Sequence, residues 1–185
     1  EDAFPGAGVD VIVSRSESKL AIERLTWGFP VEWQQRPVYN TRLETAMGPN
    51  PGMWEQPIAK GRGIVVTGGF FEAHATQTVR SPKTGRRIKQ QYRFEGAGGM
   101  PLLLAMVCGQ GCFSVVTTRP NANVAPVHNR MPLALTLAEA RWWLRAPWPS
   151  LAANWQKLAN REGLALTAAP EQPAAPAALG QGTLF

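Results

Sequence analysis

Short runs of β-branched and apolar residues, separated by glycine-rich turns, take up most of the chain before residue 118. They are predicted as strands over residues 9–13, 20–27, 64–67, 76–80, 88–94, 102–107 and 113–117. Strands this short and this closely spaced are typical of sheets that curl around a core. The sequence therefore predicts an α+β fold with a curled, antiparallel, barrel-like sheet and a few flanking helices.

Helices are predicted mainly after this β-rich part. Thr136 and Glu139 fit a capping box at the start of one helix, because each can bond a backbone N–H of the first turn. A second helix is predicted from Ser150 through Trp155 and Leu158, stopping at Gly163. An earlier short helix, over residues 53–60, is expected to break at Pro57.

The charge balance favours a polyanionic partner. The chain has 185 residues, enough for one domain with a real core, and carries 19 Lys and Arg against 13 Asp and Glu, with a pI near 9.9. Nucleic acid is favoured over membrane, and no membrane-spanning helix is predicted. A mildly basic cytoplasmic protein without any anionic partner remains the alternative.

The two cysteines do not indicate a metal site. Cys108 and Cys112 are separated by three residues and have no histidine pair beside them. Two ligands do not make a zinc site, so no metal or other cofactor is predicted. Both cysteines are expected to be reduced, in and beside a strand.

Asn40 and Arg42 form the first polar cluster that could carry chemistry. Two residues apart in an extended segment, they are predicted to share one face. A guanidinium can fork onto a phosphate, and an amide can bond a sugar or base edge. A structural ion pair of Arg42 with Glu44 is an equally good interpretation.

Glu72 and His128 are candidates for proton transfer. Glu72 follows two glycines and two phenylalanines, and apolar neighbours raise the pKa of a carboxyl group. The imidazole of His128 can give or take a proton near neutral pH. Arg130, two residues further on, could orient a carboxylate or a phosphate. Taken singly, each residue could equally be structural.

Several segments, taken in order, resemble the SRAP (SOS response-associated peptidase) family. They are Trp27-Gly28-Phe29-Pro30 with Trp33, Asn40-Thr41-Arg42-Leu43-Glu44-Thr45, Gly69-Phe70-Phe71-Glu72, Thr117-Thr118 with Asn121, and His128-Asn129-Arg130-Met131-Pro132. Their order and rough spacing follow the family from about residue 4 to residue 145. The resemblance implies the family's fold.

The resemblance also implies an activity. Family members bind single-stranded DNA and capture abasic sites in the DNA-damage response. They are also described as peptidases, because they remove their own N-terminal residues. The amine and thiol of an N-terminal cysteine add to the sugar aldehyde and form a thiazolidine DNA–protein crosslink. This chain would then be a monomer that acts in the cytoplasm at the nucleoid.

Roles for individual residues follow from the same resemblance. Asn40 and Arg42 would hold the sugar and phosphate beside the lesion, and Arg130 would also contact DNA. Glu72 would assist ring opening, and His128 would act as acid or base in forming or reversing the adduct. Trp33 would lie in a wedge loop that stacks against a base.

The sequence departs from the family at the nucleophile. Family members begin Met-Cys-Gly-Arg, whereas this sequence begins at Glu1 and has no such cysteine. Either it starts downstream of that segment, or this member has lost the nucleophile and is a noncatalytic adaptor. The first interpretation is favoured because the residues proposed for the pocket remain. Cys108 is no substitute.

The C-terminal residues suggest a partner. Residues 1–167 are assigned to the SRAP-like domain, and residues 168–180 to a flexible tether rich in alanine and proline. The last five residues resemble the bacterial sliding-clamp binding peptide. Gln181 would bond the rim of a groove, and Leu184 and Phe185 would fill an apolar pocket.

Overall fold

The computed structural model describes residues 2–16 and 19–173. In chain order, the strands of these residues are β1 Gly8–Ser14, β2 Leu20–Trp27, β3 Asn40–Arg42, β4 Arg62–Thr67, β5 Gly69–Arg80, β6 Arg87–Gly96, β7 Leu102–Gly109, β8 Cys112–Thr118, β9 Met131–Pro132, β10 Ala134–Leu135 and β11 Leu166–Pro170. The helices are α1 Leu43–Ala46, α2 Glu55–Lys60, α3 Leu137–Arg145, α4 Trp148–Asn154 and α5 Gln156–Ala159.

The main sheet closes on itself, as predicted. Strands β7, β4, β1, β2 and β8 are hydrogen-bonded in that order, and β7 also pairs with β8, so the ring is complete. Strands β10, β3 and β9 extend it from β7 and β8. Closure leaves no free edge within the ring, and apolar side chains from its strands form the core. The α+β fold with a curled, barrel-like sheet is therefore confirmed.

Two strand pairings differ from the predicted antiparallel pattern. Both β2 and β3 run parallel to β8. The loop between β2 and β3 turns back on itself, with a bridge between Phe29 and Val38, and brings β3 alongside β8 in the same direction. Sequence periodicity reports that a segment is extended, but it carries no information on its partner or direction.

A second, three-stranded sheet has the order β11-β6-β5. Strand β11 pairs with β6 from Leu166 to Pro170. Residues 168–170, which the composition assigned to the tether, therefore end a strand. Small side chains can occupy an edge strand, because backbone groups form the hydrogen bonds between the strands. Within β11 only Leu166 is buried. Residues 174–185, with most of the predicted tether and the whole clamp-binding peptide, lie outside the described residues.

The helices correct two details of the prediction. Pro57 does not break α2, because it lies in the first turn, where backbone N–H groups have no intrahelical partner. The helix predicted from Ser150 to Gly163 is divided into α4 and α5 at Trp155 and ends at Ala159. Among the described residues, no helix is long and apolar enough to cross a membrane.

Helix α3 begins as predicted and packs onto the closed sheet. The Thr136 hydroxyl accepts from the Glu139 N–H at 3.3 Å, and the Glu139 carboxylate accepts from the Thr136 N–H at 2.8 Å. Trp143 is completely buried, and its indole N–H donates to the Gly63 carbonyl in β4 at 3.0 Å. This contact fixes α3 against the barrel.

Candidate functional site

Glu72, in the second sheet, is in contact with His128, which lies in a loop. Glu72 lies in β5, and its Oε2 is 3.3 Å from Nδ1 of His128, in the loop before β9. The Ala75 N–H donates to the Val127 carbonyl at 2.9 Å, which joins β5 to this loop. Both side chains are largely buried, with 19% exposure for Glu72 and 32% for His128. Neither contact was predictable from sequence spacing.

The surroundings of Glu72 change its acidity. Burial disfavours the carboxylate and raises the pKa of Glu72 from 4.5 to about 6, although the charge of His128 acts in the opposite direction. Phe70, two residues before Glu72, is buried and stacks on Phe94 with ring centroids 5.1 Å apart. Both rings belong to one buried apolar cluster. A carboxyl group with this pKa can exchange protons near neutral pH.

The Nδ1 atom of His128 has partners for either protonation state. The Arg130 carbonyl lies 3.0 Å away and can accept a hydrogen bond from a protonated Nδ1, as can Glu72. The Arg130 N–H lies 3.3 Å away and can donate to it. Protonated and unprotonated forms of Nδ1 therefore both find a hydrogen bond. This suits an imidazole that must gain and lose a proton.

The loop that carries His128 is fixed by the buried side chain of Asn121. Its Nδ2 donates to the Leu164 carbonyl at 2.9 Å, and its Oδ1 accepts from the Val124 N–H at 3.2 Å. The next turn ends with the His128 N–H donating to the Val124 carbonyl at 3.0 Å. Asn121 thus acts through the loop on the position of the imidazole.

Arg130 is bound to protein groups. Its two terminal nitrogens each donate to Glu44 at 2.9 Å, and Nη2 also donates to the Thr117 carbonyl at 2.7 Å. Burial opposes the ionised form of Glu44, but the hydrogen bonds and charge of Arg130 outweigh it and lower the pKa of Glu44. The considered pairing of Glu44 with Arg42 is wrong. Arg130 instead holds an ionised carboxylate, while its buried Nε has no partner in the described chain.

Asn40 and Arg42 share an exposed face of β3, as predicted. Between them, Thr41 is completely buried and donates to the Ser114 hydroxyl at 2.8 Å. In the β3–β8 ladder, Arg42 lies opposite Thr117, the residue whose carbonyl accepts from Arg130. Within the described residues, no ion pair engages Arg42. Its charge is therefore available to a ligand.

Trp33 lies apart from these residues. It is 70% exposed in the loop between β2 and β3 and borders a cavity of about 770 Å³. None of the other predicted site residues borders that cavity. A smaller cavity of about 420 Å³ adjoins Glu44 and is lined by Arg119 and Trp155, which the sequence did not single out. From the sequence, Trp155 could be assigned only to a helix, because it is not part of any recognised motif.

The closed α+β barrel and the Glu72–His128 pair are the features to compare with known protein families. The family model "SOS response associated peptidase (SRAP)" matches residues 2–171, and the chain belongs to this family. The chain is 28% identical over 151 residues to the abasic site processing protein YedK of Escherichia coli K12. The match covers 76% of this chain and 62% of that protein, so it spans less than two thirds of the relative's length.

Solved structures share the fold. A phage-related protein from Bordetella bronchiseptica has a TM-score of 0.71 at 23% identity, covering 92% of this chain and 80% of its own. A second protein from the same organism has a TM-score of 0.67 at 18% identity, covering 92% and 87%. A protein from Bacteroides thetaiotaomicron has a TM-score of 0.65 at 21% identity, covering 93% and 77%.

Proposed function

We propose that this protein captures abasic sites in single-stranded DNA through a thiazolidine crosslink. The observation that carries the proposal is the contact of Glu72 with His128, two groups able to exchange protons, in a member of this family. The Escherichia coli relative is an abasic site processing protein, which supports the same substrate. The pI near 9.9 is consistent with a DNA partner.

The chemistry proceeds in two stages. The abasic sugar is a cyclic hemiacetal, and Glu72 removes the proton of its anomeric hydroxyl while the ring oxygen is protonated, which releases the aldehyde. The amine of an N-terminal cysteine then condenses with the aldehyde and releases water. Addition of the thiol to the resulting imine closes the thiazolidine. His128 moves protons in the condensation and in its reversal.

Binding and reaction are assigned to different residues. Arg42 holds a phosphate next to the lesion through its guanidinium, and Asn40 bonds the sugar. Trp33 stacks on a neighbouring base from its exposed loop. Arg130 acts on the site indirectly, because its ion pair with Glu44 attaches the loop carrying His128 to α1.

The nucleophile lies ahead of residue 1 in this proposal. Self-processing, the peptidase activity of the family name, would remove the initiator methionine and expose the cysteine amine. Protein expressed from the natural start codon should form a heat-stable adduct with abasic single-stranded DNA on a denaturing gel. Abasic DNA reduced to the alcohol is the control, because it has no aldehyde. A protein that begins Met-Cys and forms no adduct would reject the proposal.

The alternative is a noncatalytic adaptor that binds single-stranded DNA and the sliding clamp at the nucleoid. The C-terminal peptide favours it, because Gln181, Leu184 and Phe185 match the clamp-binding pattern. Deleting residues 181–185 should abolish capture of the protein by immobilised clamp, and unchanged capture would reject the peptide. A natural N-terminus without cysteine, together with DNA binding, would select the adaptor over the crosslinking protein.

A further inference from the structure

The most concentrated positive charge in the chain lies at the end of the β5–β6 hairpin. Residues 78–89, the basic arm, contain five Lys or Arg residues and no Asp or Glu. The net charge of the whole chain is +6, so the arm carries nearly all of its excess. The charged side chains are exposed, and they are Arg80, Lys83, Arg86, Arg87 and Lys89.

The basic arm extends beyond the rest of its sheet. Strand β11 pairs with β6 only from Tyr92 to Gly96, and the last contacts are the Glu171 N–H with the Gln91 carbonyl and the Gln90 side-chain amide with the Glu171 carbonyl. In the described chain, residues 78–80 and 87–89 therefore form a two-stranded ribbon. At its tip the Gly85 N–H donates to the Ser81 carbonyl at 2.8 Å. This closes the turn between the two strands.

The base of the arm is also ordered. The pairing of β5 with β6 shifts register between Ala73 and Thr78. At this irregularity Nδ1 of His74 accepts from the N–H groups of Thr76 and Gln77, at 3.1 and 3.0 Å. The Tyr92 hydroxyl donates to the Gln77 side chain at 2.9 Å. The direction of the arm is therefore fixed relative to the strand that carries Glu72.

No ion pair among the described residues neutralises the charge of the arm. Arg80 lies directly opposite Arg87 in the ladder, and like charges in this position destabilise a hairpin. Arg87 donates to the Thr78 hydroxyl at 2.9 and 2.7 Å and makes no ion pair with a described residue. Stability alone therefore gives no reason for this arrangement. An anionic partner would relieve the repulsion.

We propose that the basic arm binds DNA phosphates at a distance from the candidate site. Along β5, Glu72 and Arg80 are eight residues apart, which at about 3.3 Å per residue spans at most roughly 26 Å. This is the length of about eight nucleotides at roughly 3.4 Å each. The inference rests on the proposed function, because it assigns the arm the DNA that flanks the lesion. A two-stranded ribbon also fits the width of a DNA groove.

The test compares two variants with the same loss of charge. Arg80→Gln/Arg86→Gln removes two arginines from the arm, and Arg141→Gln/Arg145→Gln removes two from α3. Each lost phosphate contact lowers the salt slope by about 0.7 on single strands, which corresponds to about 25-fold weaker binding for two contacts at 0.1 M salt. The α3 variant should lose much less. Because Arg80 faces Arg87, the arm variant should unfold at the same temperature as wild type or higher.

The length of the DNA supplies the second control. An undamaged oligonucleotide of about three nucleotides, roughly 10 Å long at about 3.4 Å each, cannot fill the span, whereas one of about thirty can. We expect the Arg80→Gln/Arg86→Gln variant to bind the long DNA more weakly than wild type and the short DNA equally well. The long DNA is tested both as a single strand and with a duplex flank. Equal losses on both lengths, or equal losses in both variants, would overturn the inference. Failure of wild type to crosslink abasic DNA would instead count against the proposed function, because this binding test uses undamaged DNA.

Discussion

Replacing Glu72 with glutamine should make the protein more stable at neutral pH while removing a group proposed for proton transfer. Burial raises the pKa of Glu72 from 4.5 to about 6 in the folded protein. Since one pKa unit corresponds to about 1.4 kcal/mol, ionised Glu72 costs about 2 kcal/mol of folding stability. Glutamine keeps the shape and hydrogen-bonding ability of the side chain and carries no charge.

The sign of the pH dependence follows from the direction of this change. A folded-state pKa above the unfolded-state value means that the contribution of Glu72 to stability is fully present below about pH 4.5 and is lost as the pH rises through about 6. Glu72→Gln should therefore match wild type at acidic pH and exceed it by about 2 kcal/mol above neutrality. In a chain of 185 residues this corresponds to a gain of roughly 4–8 °C in melting temperature.

Urea unfolding of wild type and Glu72→Gln, measured across this pH range, checks the prediction. Glu32→Gln is the matched control, because Glu32 is an exposed loop residue and loses the same charge without any relief of burial. A Glu72→Gln protein that is no more stable than wild type at pH 8 would refute the reasoning. So would a gain of equal size at acidic and alkaline pH, because it could not come from ionisation.

Three further changes test the supports of the site. Asn121→Ala should cost about 2–3 kcal/mol in urea unfolding, because it leaves the Leu164 carbonyl and the Asn123 N–H without their partner; a loss below about 0.5 kcal/mol would contradict this. Arg130→Lys cannot keep both bonds to Glu44 and should cost about 1–2 kcal/mol. Because the pKa of Glu44 is lowered, this loss should be present at neutral pH and shrink as the solution is acidified, and a loss independent of pH would argue against the pair. Thr136→Ala should cost about 1 kcal/mol and Thr136→Ser much less, and equal losses would rule out the hydroxyl as the cap.

What the sequence predicted well was local. The exposed face shared by Asn40 and Arg42 follows from the alternation of an extended chain, which needs no knowledge of neighbouring strands. The capping box at Thr136 lies within four residues, and the structure contains both of its bonds. The closed sheet was predictable because short strands with an apolar pattern must bury their faces against one another.

What the sequence could not supply was the choice of distant partners. Glu44 pairs with Arg130, 86 residues away, although Arg42 is only two residues from it. Glu72 and His128 meet where a backbone hydrogen bond joins β5 to the loop before β9. Strand β11 was missed because its alanines carry no pattern, and its ladder with β6 depends on backbone groups alone. The residue types along the sequence do not show which distant residues will be in contact.

The central claim is that Glu72 and His128 carry out proton transfer on a bound abasic sugar. The most direct measurement is the single-turnover rate of adduct formation, with DNA affinity measured in parallel, for the natural full-length protein. Glu72→Gln and His128→Ala should each slow the reaction by about 100-fold or more and leave affinity nearly unchanged. Variants that crosslink at the wild-type rate, or that lose rate only in proportion to affinity, would contradict the account.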